Sequence, residues 1–236
     1  MGVGATGSLI TRTSEDLRGW LRFRDLRRGP GLSKMWSPPC AHASLWKLKN
    51  IVPEENLKAV QVVLDAAHFA AGKHAHQKRK GAAAEPYVNH LIEVAQLVSN
   101  ALSEPDTNLI VAALLHDTIE DTSTTKEELI ERFGTDVADL VAELTDDKSL
   151  PRQERKRLQI ESAPKISARA QTVKLADKIS NMRAILFSPP SNWDLQRKKE
   201  YFTWAKRVVD GFNEPNRILL AEFQKTFREF DNSVGA

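Results

Sequence analysis

The sequence predicts an all-α fold, organised as one helical bundle of eight or nine helices. From Pro53 onward, apolar residues recur at the three- and four-residue spacings typical of amphipathic helices. No alternating apolar and polar pattern of useful length indicates a strand. Helix start and stop signals separate the periodic segments, so we divide the chain into a basic, poorly ordered or loosely packed extension at 1–50 and one domain at 51–236.

The first predicted helix begins after the acidic start Pro53-Glu54-Glu55 and places Leu57, Val60, Leu64 and Ala67 on one face. The second follows Asn89, where four apolar residues repeat the pattern. The third is predicted over 109–119 and is apolar on most sides, as expected for a central helix that others surround.

Two short helices should follow the central one. Thr125 and Glu128 have the spacing of a capping box, and Gly134 is a helix-end signal, so the fourth helix is predicted between them. The fifth covers 136–144. The last four are predicted, in order, from Pro151 to about Ser162, from Ile166 to Leu186, from Trp193 to Phe212 and from Pro215 to Phe230.

The charge of the chain is unevenly distributed. The formal net charge is +3, but residues 1–50 hold nine Lys or Arg against three Asp or Glu, which leaves 25 (34 − 9) against 28 (31 − 3) in the remainder. The predicted domain is therefore mildly acidic, and we expect no nucleic-acid partner. The N-terminal extension has some features of an organelle transit peptide, but three acidic residues weaken that interpretation.

Composition limits the class of protein further. No stretch approaches the roughly 20 apolar residues that span a bilayer, so we expect a soluble protein without a membrane partner. The single cysteine, Cys40, forms no internal disulfide, which fits a reducing compartment such as the cytoplasm. Any metal ion must therefore bind to histidine and carboxylate ligands.

The most informative feature is the adjacent pair His116-Asp117, which lies at the end of an apolar run that reads as buried helix. An ionised carboxylate is costly to bury unless a cation or hydrogen bonds compensate it. A divalent metal would satisfy both side chains, and the further candidate ligands are His90 and Asp177. Two imidazoles and two carboxylates leave open positions on a six-coordinate ion, which favours Mn²⁺ or Fe²⁺ over structural zinc.

A second pair of carboxylates follows the first. If the helix continues, Glu120 lies one turn beyond His116 and Asp121 lies one turn beyond Asp117. Carboxylates beside a metal ion suit general acid–base catalysis, because the ion lowers the pKa of bound water and a neighbouring base can deprotonate it. We therefore predict Glu120 and Asp121 as catalytic residues.

A basic loop precedes the first candidate ligand. Residues 76–81 contain Arg79 and Lys80 and lead through Pro86-Tyr87 to His90. A guanidinium can stack on a base and pair with phosphate, so Arg79 is the first choice for binding a nucleotide and Lys80 the second. A solvated charge run is the alternative explanation.

These residues belong to five blocks that occur in a fixed order. The blocks are Arg79-Lys80 with Pro86-Tyr87-Val88-Asn89-His90, Leu114-Leu115-His116-Asp117-Thr118-Ile119-Glu120-Asp121-Thr122, Leu144-Thr145-Asp146-Asp147-Lys148, Glu154-Arg155-Lys156-Arg157, and 173–183 around Asp177. Together they resemble the HD metal-dependent phosphohydrolase superfamily, specifically the hydrolase domain of RelA/SpoT proteins and its small stand-alone alarmone hydrolases. The resemblance covers about residues 55–230 and identifies the predicted bundle as an HD domain.

The resemblance implies an Mn²⁺-dependent reaction that removes the 3′-pyrophosphate of guanosine tetra- or pentaphosphate. The products are GDP or GTP and pyrophosphate. It implies a guanine pocket near Arg79 and Lys80, with further contacts from Asn181 and Tyr201; Lys174 is also assigned to substrate binding. One departure is Leu91, where the family often has proline, and this change should alter the helix start but not the ligand.

Several alternatives stay open. The same metal site would serve a phosphohydrolase acting on NADPH or a deoxynucleotide, and a binding module that has lost catalysis is a third hypothesis. Residues 146–148 either form a plain helix-end turn or contact the substrate or the metal ligands. The other four histidines are assigned no role. The predicted partner is a nucleotide, and assembly into a homo-oligomer stays open.

Overall fold

A computed structural model describes residues 53–235, which form nine helices and one single-turn helix. The all-α prediction is confirmed, and the prediction for residues 1–50 lies outside the described residues. The first five helices are α1 (Glu54–Lys73), α2 (Val88–Ala101), α3 (Thr107–Leu115), the single-turn α4 (Thr118–Asp121) and α5 (Lys126–Phe133). The other five are α6 (Thr135–Leu144), α7 (Arg152–Ser162), α8 (Ala168–Phe187), α9 (Leu195–Asp210) and α10 (Arg217–Gly235).

Helix α3 lies at the centre of the bundle, as its apolar sequence predicts. It contacts α1, α2, α6 and α8. Val111, Ala112, Ala113 and Leu115 have no exposed surface, because helices surround α3 on most sides. The end of α3 is therefore a buried point to which neighbouring helices can deliver polar side chains.

The central helix ends earlier than the sequence suggests. A helix was predicted over 109–119, but α3 stops at Leu115 and α4 restarts at Thr118. Two side chains bind backbone carbonyls at this point: His116 Nδ1 lies 2.9 Å from the oxygen of Ala113, and the Thr118 hydroxyl donates to Leu115. Such local bonds compete with the helical ladder. Because of the break, the side chains of His116 and Asp117 point in directions that they would not have in an uninterrupted helix.

Helix α1 uses a different face from the predicted one. Leu57, Val60 and Leu64 are 50–62% exposed, whereas Ala66 and Ala70 are fully buried. The small alanine side chains face the bundle, and α1 packs on α3. The predicted face was therefore wrong, because helical spacing shows that a stripe exists but not which side approaches a neighbour.

Helix ends follow the predicted signals closely. The Thr125 hydroxyl accepts a hydrogen bond from the Glu128 amide, which is half of the expected capping box, and the Glu128 carboxylate instead pairs with Lys73. Gly134 ends α5 with φ 86° and ψ 165°, a conformation accessible essentially to glycine alone. Helix α2 begins at Val88, ahead of Leu91, which is buried in the core.

Helix α8 carries an unusual set of buried polar residues. Lys174, Lys178 and Ser180 are at most 7% exposed, although they share the helix with core residues such as Leu175 and Met182. Buried polar groups need partners, so their presence points to a functional region beside α8.

No helix within residues 53–235 has both the length and the apolar character required to cross a bilayer.

Replacing Gly134 with alanine should destabilise the fold, because the positive φ strains any side chain. We expect the free energy of unfolding to fall by about 1–3 kcal/mol. Gly72 is the matched control: it lies within α1 with open space around it, so Gly72→Ala should leave stability unchanged or raise it by up to about 1 kcal/mol. Chemical denaturation of both variants measures the difference, and equal effects would contradict the role given to Gly134.

Candidate active site and metal centre

Three parts of the fold bring the four candidate ligands together. His90 lies in the first turn of α2, His116 and Asp117 form the link between α3 and α4, and Asp177 lies in α8. His90 Nε2 is 3.3 Å from Asp177 Oδ1 and 3.6 Å from Asp117 Oδ2. His116 Nε2 is 3.1 Å from Asp117 Oδ2 and 3.8 Å from Asp177 Oδ1.

The ligand atoms converge closely enough to share one ion. Candidate ligand atoms of His90, His116 and Asp177 all lie within 4.8 Å of one another. Asp117 is outside that closest group, although its Oδ2 lies near both imidazoles. Residues that are 26–87 positions apart in sequence thus meet at one buried point, as bundle metal sites require.

The hydrogen bonding of the two imidazoles fits a metal ion. The Nε2 atoms of His90 and His116 are buried and have no hydrogen-bond partner among residues 53–235. For His116 the other ring nitrogen faces the carbonyl of Ala113, which only accepts, so the proton belongs on Nδ1 and Nε2 presents a lone pair. A lone pair buried beside carboxylate oxygens calls for a cation.

The electrostatics of the cluster lead to the same conclusion. Burial lowers the pKa of His116, but the neighbouring charges of Asp117 and Asp177 outweigh it and hold that pKa well above its usual value. Burial likewise raises the pKa of Asp117, and His116 and His90 outweigh it and hold it well below the usual range. The cluster therefore attracts positive charge, which a proton or a divalent ion can supply.

Further side chains fix the two carboxylates. The Tyr87 hydroxyl donates to Asp117 Oδ2 at 2.5 Å, and burial together with the charge of Asp117 raises the pKa of this phenol strongly. Asn181 Nδ2 donates to Asp177 Oδ1 at 2.6 Å, and Lys178 Nζ contacts Asp177 Oδ2 at 3.1 Å. These contacts limit the orientations that each carboxylate can adopt.

The two predicted catalytic carboxylates lie beside the cluster in different surroundings. Glu120 accepts a bond from the Asp146 amide and lies 3.5 Å from Arg155. Burial and the charge of Asp117 raise its pKa to about 7, which suits proton transfer near neutral pH. Asp121 instead accepts hydrogen bonds from Lys148 and, at 2.8 Å, from Gln77.

A cavity of about 530 Å³ lies beside the cluster and has the size of a ligand pocket. The basic loop forms one wall with Arg79 and Lys80, and Trp193 and Tyr201 supply aromatic surface on another. Asn181 and Asp121 line the side nearer the carboxylates. Its mixture of cationic, aromatic and amide groups suits a nucleoside with attached phosphate.

A second cavity of about 320 Å³ opens onto the cluster itself. Asp117, Asp177 and Glu120 line it, together with several cationic side chains. Those cations are Lys80, Arg152, Arg155, Lys156 and Lys178. Lys80, Arg152, Asn181 and Tyr201 line both cavities, so one ligand could extend from the first to the second. An open groove of about 670 Å³ near Asp106 and Arg169 is larger but lies apart from the ligand cluster.

Four of the five residues predicted to bind substrate line these cavities: Arg79, Lys80, Asn181 and Tyr201. Lys174 does not line either of them. It is buried, burial lowers its pKa, and its Nζ lies 3.5 Å from the carbonyl of Leu144. This position indicates that Lys174 stabilises the last residue of α6 and does not contact a ligand in either cavity.

Sequence reasoning missed several neighbouring residues. Tyr87, Ser180 and Glu93 contact the ligands or their partners, and Gln77 joins Asp121 to His74, which was given no role. Tyr87 stands three residues before a candidate ligand, a position that could have identified it. Glu93 is one turn beyond His90, whereas only the packing of α8 against α2 reveals the place of Ser180.

The model of the HD domain family matches residues 66–202, which is more than half of the chain. The chain belongs to the HD-domain family. This membership confirms the resemblance inferred from the five sequence blocks, and an HD domain implies a divalent metal ion at a His and Asp cluster such as the one described here.

Relatives within the HD family extend over most of the described bundle. The guanosine-3′,5′-bis(diphosphate) 3′-pyrophosphohydrolase MESH1 of Xenopus tropicalis is 48% identical over 168 residues, covering 71% of this chain and 94% of that protein. MESH1 of Homo sapiens is 47% identical over 167 residues, covering 71% and 93%. A solved metazoan ortholog of SpoT, described as hydrolysing ppGpp, aligns with TM-score 0.68 and 45% identity over 71% of this chain and 94% of that one.

Removing a ligand should release the metal, whereas neutralising the neighbouring base should not. We expect His116→Ala and Asp177→Ala to lose bound divalent metal, because each removes one of few ligands. Glu120→Gln should retain metal and lose rate. Elemental analysis of each variant after gel filtration measures this, with Thr172→Ala on the same helix as the control. Equal metal loss in all three site variants would show that Glu120 is a ligand.

Proposed function

We propose that this chain hydrolyses the 3′-pyrophosphate of guanosine tetraphosphate and pentaphosphate, yielding GDP or GTP and pyrophosphate. The reaction uses one divalent ion, Mn²⁺ by preference, bound by His90, His116, Asp117 and Asp177. The observation that carries the proposal is the convergence of His90, His116 and Asp177, with Asp117 beside both imidazoles. The two carboxylates also line a cavity that contains several cationic side chains. The names of the relatives support the substrate, since several MESH1 proteins with this activity in their name are 45–48% identical to the chain.

The two cavities match the two ends of such a substrate. A guanine base and ribose fit the larger one, between the basic loop and the aromatic wall of Trp193 and Tyr201. The 3′-pyrophosphate then enters the smaller one, where Arg152, Arg155 and Lys178 lie close to the carboxylate cluster. Guanidinium and ammonium groups compensate a polyanion that would otherwise be repelled by the cluster of carboxylates.

The reaction adds water across the bond between the 3′ oxygen and phosphorus. His90, His116, Asp117 and Asp177 would hold a divalent ion, which would supply a bound water of lowered pKa and a positive charge for the phosphoryl group. Glu120 lines the cavity with Asp117 and Asp177, and burial raises its pKa to about 7. This position suits it to accept the proton of the attacking water and to return it to the leaving 3′ oxygen. The two carboxylates are ligands that suit Mn²⁺, and the two imidazoles also suit iron, so Fe²⁺ is the second choice.

Glu120 and Asp121, the two carboxylates that are not proposed ligands, have different roles. Glu120 faces the cavity with the cluster, whereas Asp121 lines the nucleoside cavity and is held by Lys148 and Gln77. Arg155 lies 3.5 Å from Glu120 and lines the same cavity, so it stabilises the negative charge on the pyrophosphoryl group as water adds to phosphorus and the 3′ oxygen leaves. Asp121 orients the loop residues that hold the substrate.

The experiment is a product assay on a panel of nucleotides. Purified protein with Mn²⁺ should release pyrophosphate and GDP from guanosine tetraphosphate, and Asp177→Asn should release neither. Release of orthophosphate from NADPH, with guanosine tetraphosphate untouched, would replace the proposed substrate by a 2′-phosphate. A protein that binds Mn²⁺ but turns over no nucleotide would contradict the enzymatic function.

The basic loop depends on glycine at position 81. A Cβ at Gly81 would overlap the carbonyl oxygen of Ser188, and the loop is held to this segment by bonds from the amides of Ala82 and Ala83. Gly81→Ala should therefore displace Arg79 and Lys80 from the cavity wall.

We expect Gly81→Ala to raise KM roughly tenfold or more while bound metal is unchanged, because contacts that bind the ground state are lost. Gly72→Ala is the control, since nothing lies within 4 Å of its added Cβ. Steady-state kinetics with elemental analysis tests the expectation. An unchanged KM would show that the loop does not contact the substrate.

A further inference from the structure

The ring nitrogen of His90 that faces away from the ligand cluster lies beside a serine. His90 Nδ1 is 2.9 Å from Ser180 Oγ, and both residues are at most 1% exposed. The hydroxyl also lies 2.6 Å from Glu93 Oε2 and 3.3 Å from Arg79 Nη1. The buried Ser180 hydroxyl is thus within hydrogen-bond distance of an imidazole, a carboxylate and a guanidinium.

The donors and acceptors available in this cluster fix the direction of each hydrogen bond. An ionised carboxylate only accepts, a guanidinium only donates, and a hydroxyl has one proton and two lone pairs. The Ser180 proton therefore goes to Glu93, and its lone pairs accept from Arg79 and from His90. His90 must carry its proton on Nδ1, which leaves Nε2 bare toward Asp117 and Asp177.

Two guanidinium groups lie beside Glu93. Arg183 donates to Glu93 Oε1 at 3.2 Å, and Arg79 lies 3.6 Å from Glu93 Oε2. Arg183 also donates to Glu222 at 2.6 Å, so the guanidinium is anchored between two acidic residues on different helices. The contacts from Arg183 and Arg79 keep Glu93 beside the Ser180 hydroxyl, so the hydroxyl proton is directed to Glu93 and not to His90.

We propose that Ser180 and Glu93 are positioning residues that hold His90 in the tautomer able to bind a metal ion. The proposal rests on the metal centre proposed above and adds the mechanism that prepares one of its ligands. Neither residue is one of the four proposed ligands, and each acts through His90. Arg79 lines the nucleoside cavity and donates to the same hydroxyl, so the substrate cavity and the orientation of His90 share one hydrogen-bond network.

Glu93→Ala tests the proposal without altering His90 or Ser180. The freed hydroxyl can then donate to His90 Nδ1, so the tautomer with a proton on Nε2 becomes populated. Loss of a residue that orients a metal ligand typically lowers metal affinity about 10–100-fold. We expect a fall of that size in the Mn²⁺ affinity of Glu93→Ala and of Ser180→Ala. Glu222→Ala is the matched control, since it removes the other carboxylate of Arg183 but does not contact Ser180. Thr172→Ala controls for loss of a buried hydroxyl on α8.

Two readouts separate this proposal from the metal centre itself. Nitrogen-15 NMR of histidine in the metal-free protein, at alkaline pH, should show His90 protonated at Nδ1 in the wild type and in both controls, and a shift toward Nε2 in Glu93→Ala. Calorimetry with Mn²⁺ then measures affinity, which should stay within twofold of the wild type in the controls. Wild-type protonation at Nε2, or unchanged tautomer and affinity in Glu93→Ala, would overturn the proposal. A wild-type protein that binds no Mn²⁺ would instead overturn the metal centre, and the NMR result decides the role of Glu93 in either case.

Discussion

Two buried imidazoles and two half-buried carboxylates lie against one another, and the fold must compensate this concentration of electron pairs. Without positive charge, groups of this kind repel one another and lose their hydration, a cost of several kcal/mol for a buried ion. The protein raises the pKa of His116 and lowers the pKa of Asp117 and Asp177 in response. A divalent ion resolves the same conflict and gives the cluster a chemical use.

The fold is arranged so that the cluster can form. Helix α3 is the most enclosed element, and its early end at Leu115 directs His116 and Asp117 toward the first turn of α2 and the middle of α8. Side-chain bonds to backbone carbonyls at this break fix the ring of His116. The cationic residues near the cluster come from a different part of the chain, mainly α7 and the loop before α2.

Much of this organisation could be predicted from sequence because it depends on local signals. Helical periodicity, capping residues and the His116-Asp117 pair indicated the all-α class, most helix boundaries and the candidate ligands. The exposed stripe of α1 was misassigned because Leu57, Val60 and Leu64 are apolar, whereas the small residues Ala66 and Ala70 allow the close approach to α3. The choice between two faces of one helix depends on its neighbours.

The hydrogen bonds that Ser180 and Glu93 form around His90 could not be predicted from sequence either, because they too depend on how the helices pack. Ser180 is 90 residues from His90 in sequence, and only the contact between α2 and α8 joins them. Glu93 reads as an ordinary helix-surface charge until Arg183 and Ser180 are placed around it. Polar residues that act through a ligand carry no motif of their own, so their roles become visible only once the packing of the helices is known.

Electron–nuclear double resonance on protein loaded with Mn²⁺ and labelled with nitrogen-15 at histidine detects whether the two imidazoles bind the ion. We expect two distinct histidine nitrogen couplings, one lost when His90 is replaced and the other when His116 is replaced. A spectrum with no histidine coupling, or with a coupling that survives both replacements, would contradict a centre built from these two imidazoles.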